Sequence, residues 1–70
     1  MMPLTFAYTG GEYVVKKIGV RPEVRKHLEN LGFVVGSRVS VISTLGGNVI
    51  VKVKESRVAI SQEMAQKIMI

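Results

Sequence analysis

Apolar and polar residues alternate with a period of two along most of this chain. From Glu12 to Ile18 the run Glu-Tyr-Val-Val-Lys-Lys-Ile is rich in β-branched and aromatic residues and follows the turn signal Thr9-Gly10-Gly11. It predicts a first strand. Its buried face is ambiguous, because Tyr13 and Val15 point one way while Val14 and Ile18 point the other. Between Arg38 and Thr44, Val39 and Val41 alternate with Arg38 and Ser40. After Leu45-Gly46-Gly47 the pattern returns from Asn48 to Lys54, with Val49, Val51 and Val53 inward and Lys52 and Lys54 outward. Two alternating runs joined by Gly46-Gly47 predict a hairpin. Glu55-Ser56 reads as a second turn, leading into a short strand over Arg57-Val58-Ala59-Ile60.

Two segments break the alternation with helical spacing. From Pro22 to Leu31, Val24, Leu28 and Leu31 stand at i, i+4 and i+7 and form one apolar stripe. Pro22 suits the first helical position, where its missing N–H costs nothing, and Glu23 lies near the positive end of the helix dipole. Gly32 suits the left-handed residue that ends a helix, with Phe33 folding back on Leu28. A helix this short is marginal alone and must dock on the sheet. Farther on, Ser61 is placed to cap a smaller helix with Glu63 in its first turn and Met64, Ala65 and Ile68 on its apolar side. The apolar run Ile68-Met69-Ile70 then predicts a last, packed strand.

These elements imply a mainly β fold of about five strands with one inserted α-helix and a short helix near the C-terminus, a set compatible with a small closed barrel. Seventy residues allow one domain, spanning 1–70, with a marginal core and little room for a buried active site. Cysteine is absent, so neither disulfides nor thiolate metal ligands supplement packing. Met1-Met2-Pro3-Leu4 lacks the features of a signal peptide, and no window approaches the roughly 20 apolar residues that cross a bilayer. The expectation is a soluble, cytoplasmic protein.

The ten Lys and Arg residues against five acids, a net charge of +5, favour an acidic protein surface, a nucleic acid or an anionic membrane as partner. Arg21, Arg25 and Lys26 cluster at the first helix, and Leu45 at the hairpin tip offers an apolar contact, so a partner-binding module accounts for both. Small barrels also bind single-stranded nucleic acid by stacking bases on aromatic residues in a basic groove. Here Phe33 reads as a helix-closing contact and Tyr13 as part of an apolar strand. Enzymatic chemistry has less support. The chain has no Cys or Asp, and Ser61 is explained as a cap. Gly10-Gly11 and Gly46-Gly47 lack the Lys-Ser or Lys-Thr of a phosphate loop. His27, the only histidine, stands four residues from Glu23, and the two could share a divalent ion weakly at the surface. No cofactor is required by this reading.

The stretch Leu31-Gly32-Phe33-Val34-Val35-Gly36-Ser37-Arg38-Val39-Ser40-Val41 closes a helix on one glycine, turns on a second and runs into a strand. It resembles the signature of the ferrous iron transport protein A (FeoA) family. Pro3-Leu4 leading to Gly10-Gly11-Glu12, the basic run Arg25-Lys26-His27-Leu28-Glu29-Asn30-Leu31-Gly32, and Arg57-Val58-Ala59-Ile60 before a Glu- and Ala-containing helical turn extend the similarity over nearly the whole chain. Where the family pattern has a proline before the second glycine, this chain has Val35. The resemblance implies an SH3-like barrel with its helix between the first two long strands. It implies a small cytosolic accessory protein that binds and modulates a membrane ferrous iron transporter at its GTP-binding domain, recruited to the inner face of the membrane. It ties transition-metal binding to the family as a whole and not to a site in this chain. The alternative from another class is a basic single-stranded nucleic-acid-binding module.

Overall fold

In the computed structural model, which describes residues 1–70, six strands lie in two sheets. They are β1 (Glu12–Val14), β2 (Lys17–Ile18), β3 (Arg38–Leu45), β4 (Asn48–Val53), β5 (Ser56–Ser61) and β6 (Ile68–Met69). Helix α1 (Pro22–Leu31) separates β2 from β3, and α2 (Gln62–Ala65) separates β5 from β6. All strand pairs are antiparallel, in the orders β1-β3-β4-β5 and β2-β6.

The single strand expected over Glu12 to Ile18 is two strands. At the break, the Val15 N–H donates to the Ser37 carbonyl at 2.9 Å while the Lys16 N–H donates to the Met69 carbonyl at 2.7 Å. The chain therefore leaves one sheet and enters the other. The bend resets the alternation, so Val15 and Ile18 are both buried while Val14 is exposed. That removes the ambiguity of face. The C-terminal strand forms as expected, with Ile68 and Ile70 buried and Met2 and Ile70 exchanging backbone bonds of 3.0 and 2.8 Å.

The predicted β3–β4 hairpin closes on Gly46 and Gly47, with Leu45 opposite Asn48. Of the two glycines only Gly46 has a positive φ, 61°, the pattern of a type II′ turn. The register steps between Val41 and Ser43. Ile42 is thus the extra residue of a β-bulge. The next hairpin corrects the sequence reading by one residue, because Val53 pairs with Ser56 and the turn is Lys54-Glu55. Both turn residues have positive φ, 49° and 66°, as a type I′ turn requires, without the Asn or Gly that would have announced it.

Helix α1 ends as its sequence predicts. Gly32 adopts φ 106° and ψ 1°, its N–H donates to the Glu29 carbonyl at 3.0 Å, and the Phe33 N–H reaches back to the Leu28 carbonyl at 2.9 Å. This is a Schellman close. A Cβ on Gly32 would make only ordinary contact with the Val53 side chain, at 3.4 Å, so it is the left-handed backbone that calls for glycine. The following turn, Val34 to Ser37, carries a Ser37 N–H to Val34 carbonyl bond of 2.9 Å and φ 95° at Gly36. Those are the marks of a type II turn, whose second position accepts proline readily. Val35 occupies that position with its N–H free of any backbone partner. The Ser37 hydroxyl braces the turn by donating to the Gly32 carbonyl at 3.1 Å.

The core contains no polar or charged side chain. Val39, Val41, Val49, Val51 and Val53 face it from β3 and β4, none more than 3% exposed, together with Phe33, Leu28 and Leu4.

Candidate partner-binding groove

The most developed concavity runs between α1 and the β5–α2 segment. Its position follows from the way α1 is built. The stripe Val24, Leu28, Leu31 docks on the core, but only Leu28 is fully buried, and Val24 and Leu31 pack against the core while remaining half-buried. Opposite them stands α2, whose N-terminus is capped as predicted by the Ser61 hydroxyl accepting the Met64 N–H at 3.1 Å. The cap fixes the first turn of α2 and with it Met64, also half-buried. Uncovered apolar surface on both walls faces one gap.

The wide end of the groove, a cavity of about 390 Å³, is formed by Val20, Val24 and Met64 with Arg21, Glu63 and Lys67 at its rim. The narrow end, about 190 Å³, is formed by Leu28, Leu31, Ile60 and Met64 with His27 and Ala59 beside them. Ser61 and Met64 border both, so the two ends adjoin across a shared wall. The rim carries two fixed cations and one carboxylate. An apolar floor with a mainly basic rim suits an apolar segment with acidic neighbours.

The residues singled out from sequence do not form one site. Arg21 lines the wide end. Arg25 instead donates a guanidinium N–H to the Ile18 carbonyl at 2.8 Å in a partly buried contact, which ties α1 to β2. Lys26 is exposed and lines neither end. Leu45, 73% exposed, sits at the hairpin tip outside the groove, and that tip is held to α2 by the Gln62 N–H donating to the Gly47 carbonyl at 3.0 Å. Glu23 and His27 occupy one flank of α1, both exposed, and no group of three His, Asp or Glu side chains gathers anywhere in the molecule. The groove itself was not read from the sequence. Its one advance signal was the presence of Met64 on an apolar side, which sequence alone assigned to the core.

A second, polar hollow lies on the sheet face, where Glu12, Arg38, Ser40, Lys52, Lys54 and Glu55 meet. Glu12 and Arg38 approach to 3.9 Å with both side chains mostly exposed, a pair contributing about 0–1 kcal/mol at most. Neither aromatic residue considered for base stacking is available to it. Phe33 is fully buried, and the Tyr13 hydroxyl accepts the Tyr8 N–H at 3.0 Å. The exposed aromatics are Phe6 and Tyr8, near the N-terminus.

Comparison with known proteins places the chain in a family and identifies its fold. A family model described as the FeoA domain matches residues 2–70. The chain belongs to the FeoA family. A Methanocaldococcus jannaschii relative named as an Fe(2+) transport protein A is 40% identical over 70 residues, all of this chain and 85% of the relative. The crystal structure of an iron uptake regulatory protein, FeoA, superposes with a TM-score of 0.87 at 26% identity, covering 97% of this chain and 90% of that one. The Stenotrophomonas maltophilia FeoA, solved with zinc and described as a prokaryotic SH3 domain protein, has a TM-score of 0.82 at 23% identity over 99% of this chain and 88% of its own. The FeoA fold of this chain is thus SH3-like and mainly β, as the resemblance implied. Its family is one of ferrous iron transport, and no helix is long and apolar enough to cross a membrane.

Proposed function

We propose that this FeoA-family chain is a cytoplasmic adaptor of ferrous iron uptake that seats its α1–β5–α2 groove on the membrane iron transporter, at the transporter's GTP-binding domain. The carrying observation is the half-buried apolar lining, Val24, Leu31 and Met64, which borders two adjoining hollows rimmed at one end by Arg21 and Lys67. The net charge of +5 steers the module toward acidic surfaces and toward the anionic inner face of the membrane. In this reading iron is the cargo of the transporter, and the adaptor needs no metal or other cofactor of its own. Glu23 and His27 hold a divalent ion only weakly.

The test separates rim and floor of the groove from the residues that hold the barrel together. Met64→Glu places a charge on the apolar floor, and the pair Arg21→Glu with Lys67→Glu reverses the rim. Each variant is expected to stay folded and to lose both co-purification with the transporter's GTP-binding domain and transporter-dependent iron uptake in cells. Arg25 is left untouched because its guanidinium has a structural partner. Normal uptake with folded groove variants, combined with tight, salt-sensitive oligonucleotide binding by the unaltered chain, would replace the adaptor by a nucleic-acid-binding module.

A further inference from the structure

We infer that β5 is a docking edge: an extended segment of the protein partner, apolar at alternate positions and acidic at its flanks, adds to the sheet as a further strand beside β5. The inference rests on the groove being the partner site and specifies how the groove is filled. Its first support is the hydrogen-bond parity of the β4–β5 hairpin. A two-residue turn at Lys54-Glu55 makes Val53 and Ser56 a hydrogen-bonded pair, and the pairs Val51–Val58 and Val49–Ile60 follow. The N–H and C=O groups of Arg57 and Ala59 therefore point away from β4. β5 is the last strand of its sheet, and none of the turn and loop hydrogen bonds reaches either residue. Four backbone groups in a row face outward without a partner.

Of the usual edge defences β5 carries one, the charge of Arg57. Natural edges are shortened, bulged or interrupted by proline. The opposite edge of this sheet, β1, has three residues. β5 has six, Ser-Arg-Val-Ala-Ile-Ser, with no proline and an unbroken register against β4. The outer edge of β5 borders the groove, because Ala59, Ile60 and Ser61 line its narrow end opposite His27, Leu28 and Leu31 of α1. A strand laid there would turn alternate side chains onto Leu28, Leu31 and Met64 while its backbone met Arg57 and Ala59, the combination by which strand addition joins affinity to specificity. The cations Arg21, Arg57 and Lys67 against Glu63 set the preference for acidic flanks. A second copy of this chain fits less well, since each copy carries +5 and would bring like charge to the edge.

The experiment uses the full chain, labelled with nitrogen-15, and as probe a short designed peptide alternating valine and threonine between terminal glutamates. Two further copies of the probe are N-methylated, one on the valines and one on the threonines. Binding is expected to move the Arg57 and Ala59 amide signals and slow their hydrogen exchange about tenfold, the factor for one net hydrogen bond. One methylated copy should bind and the other should not, since only alternate amides face the edge. Equal binding by both copies, or no change at Arg57 and Ala59 at millimolar probe, overturns the inference. So does concentration-dependent dimerisation that moves the same two signals without probe.

Ala59→Pro gives a cellular arm, because it deletes an outward N–H and no β4 bond. It is expected to abolish iron uptake as Met64→Glu does. If Met64→Glu abolishes uptake and folded Ala59→Pro does not, strand addition is wrong and the groove survives. If both leave uptake intact, the groove reading falls as well. Should Ala59→Pro fail to fold, the methylated probes decide.

Discussion

The sheet interior and the α1 stripe are both apolar, yet they are used differently. Five valines of β3 and β4 lose essentially all exposure, and nothing outside the sheet could add to their burial. Of the three stripe residues on α1 only Leu28 reaches that state, while Val24 and Leu31 keep part of their surface open. The barrel is held by the first set and merely joined by the second. Apolar area that folding leaves uncovered on a helix beside an open strand edge is available to a partner. In a molecule with no buried polar side chain, that spare surface is where function can reside.

The comparison can be broken from the interior first. Phe33→Ala empties a fully buried position below the helix close and should cost about 3–5 kcal/mol, enough to unfold most of so small a domain. Circular dichroism and denaturant melts of the purified variant check this. Leu28→Ala, at the one buried stripe position, should cost about 2–5 kcal/mol. A loss below about 0.5 kcal/mol would mean that α1 is not docked and that the groove has only one wall.

Val35→Pro sharpens the contrast in the other direction, by stiffening the connection from α1 to β3. The turn geometry at Gly36 and the unbonded Val35 N–H suit proline, so a gain of about 0.4–1 kcal/mol is expected from the reduced entropy of the unfolded chain. The melting temperature should rise while the amide spectrum changes only around the turn. A fall would show that the residues before Gly36 do not hold a type II conformation. The smallest expected effect is that of metal removal. Chelator treatment should leave both the amide spectrum and the melting temperature unchanged. Tight, stoichiometric ferrous or zinc binding that His27→Ala removes would contradict this.

What the sequence disclosed and what it hid divide along physical lines. The core valines, the α1 stripe, the Gly32 close and the Ser61 cap were legible because each is written in local spacing or in a residue type with one conformational reason to be there. The turn at Lys54-Glu55 was not, since neither residue favours positive φ and only the pairing of Val53 with Ser56 fixes it. The bend after Val15 was hidden because its cause is the carbonyls of Ser37 and Met69, far along the chain. Arg25 resembled the other cations of its cluster, and its acceptor, the Ile18 carbonyl, is a backbone group that no residue type reveals. The groove joins α1 to β5 and α2, segments about thirty residues apart in the chain, so no local window contains it.

The bulge at Ile42 has a consequence for motion. Beyond it Ser43, Thr44 and Leu45 are all exposed, whereas before it Val39 and Val41 are buried. Fraying that starts at Gly46 can therefore peel the end of β3 from β4 at little expense in burial, and it stalls where Val41 would have to enter water. Opening of that kind breaks the ladder bonds of the Leu45–Asn48 and Ser43–Ile50 pairs and strains the Gly47 tie to Gln62, the residue that begins α2. The hairpin tip is thus a lever whose fulcrum is Ile42 and whose far end rests on the helix that carries Met64. Amide exchange graded along the β3–β4 ladder, fast at Leu45 and slow at Ser40, would be its signature.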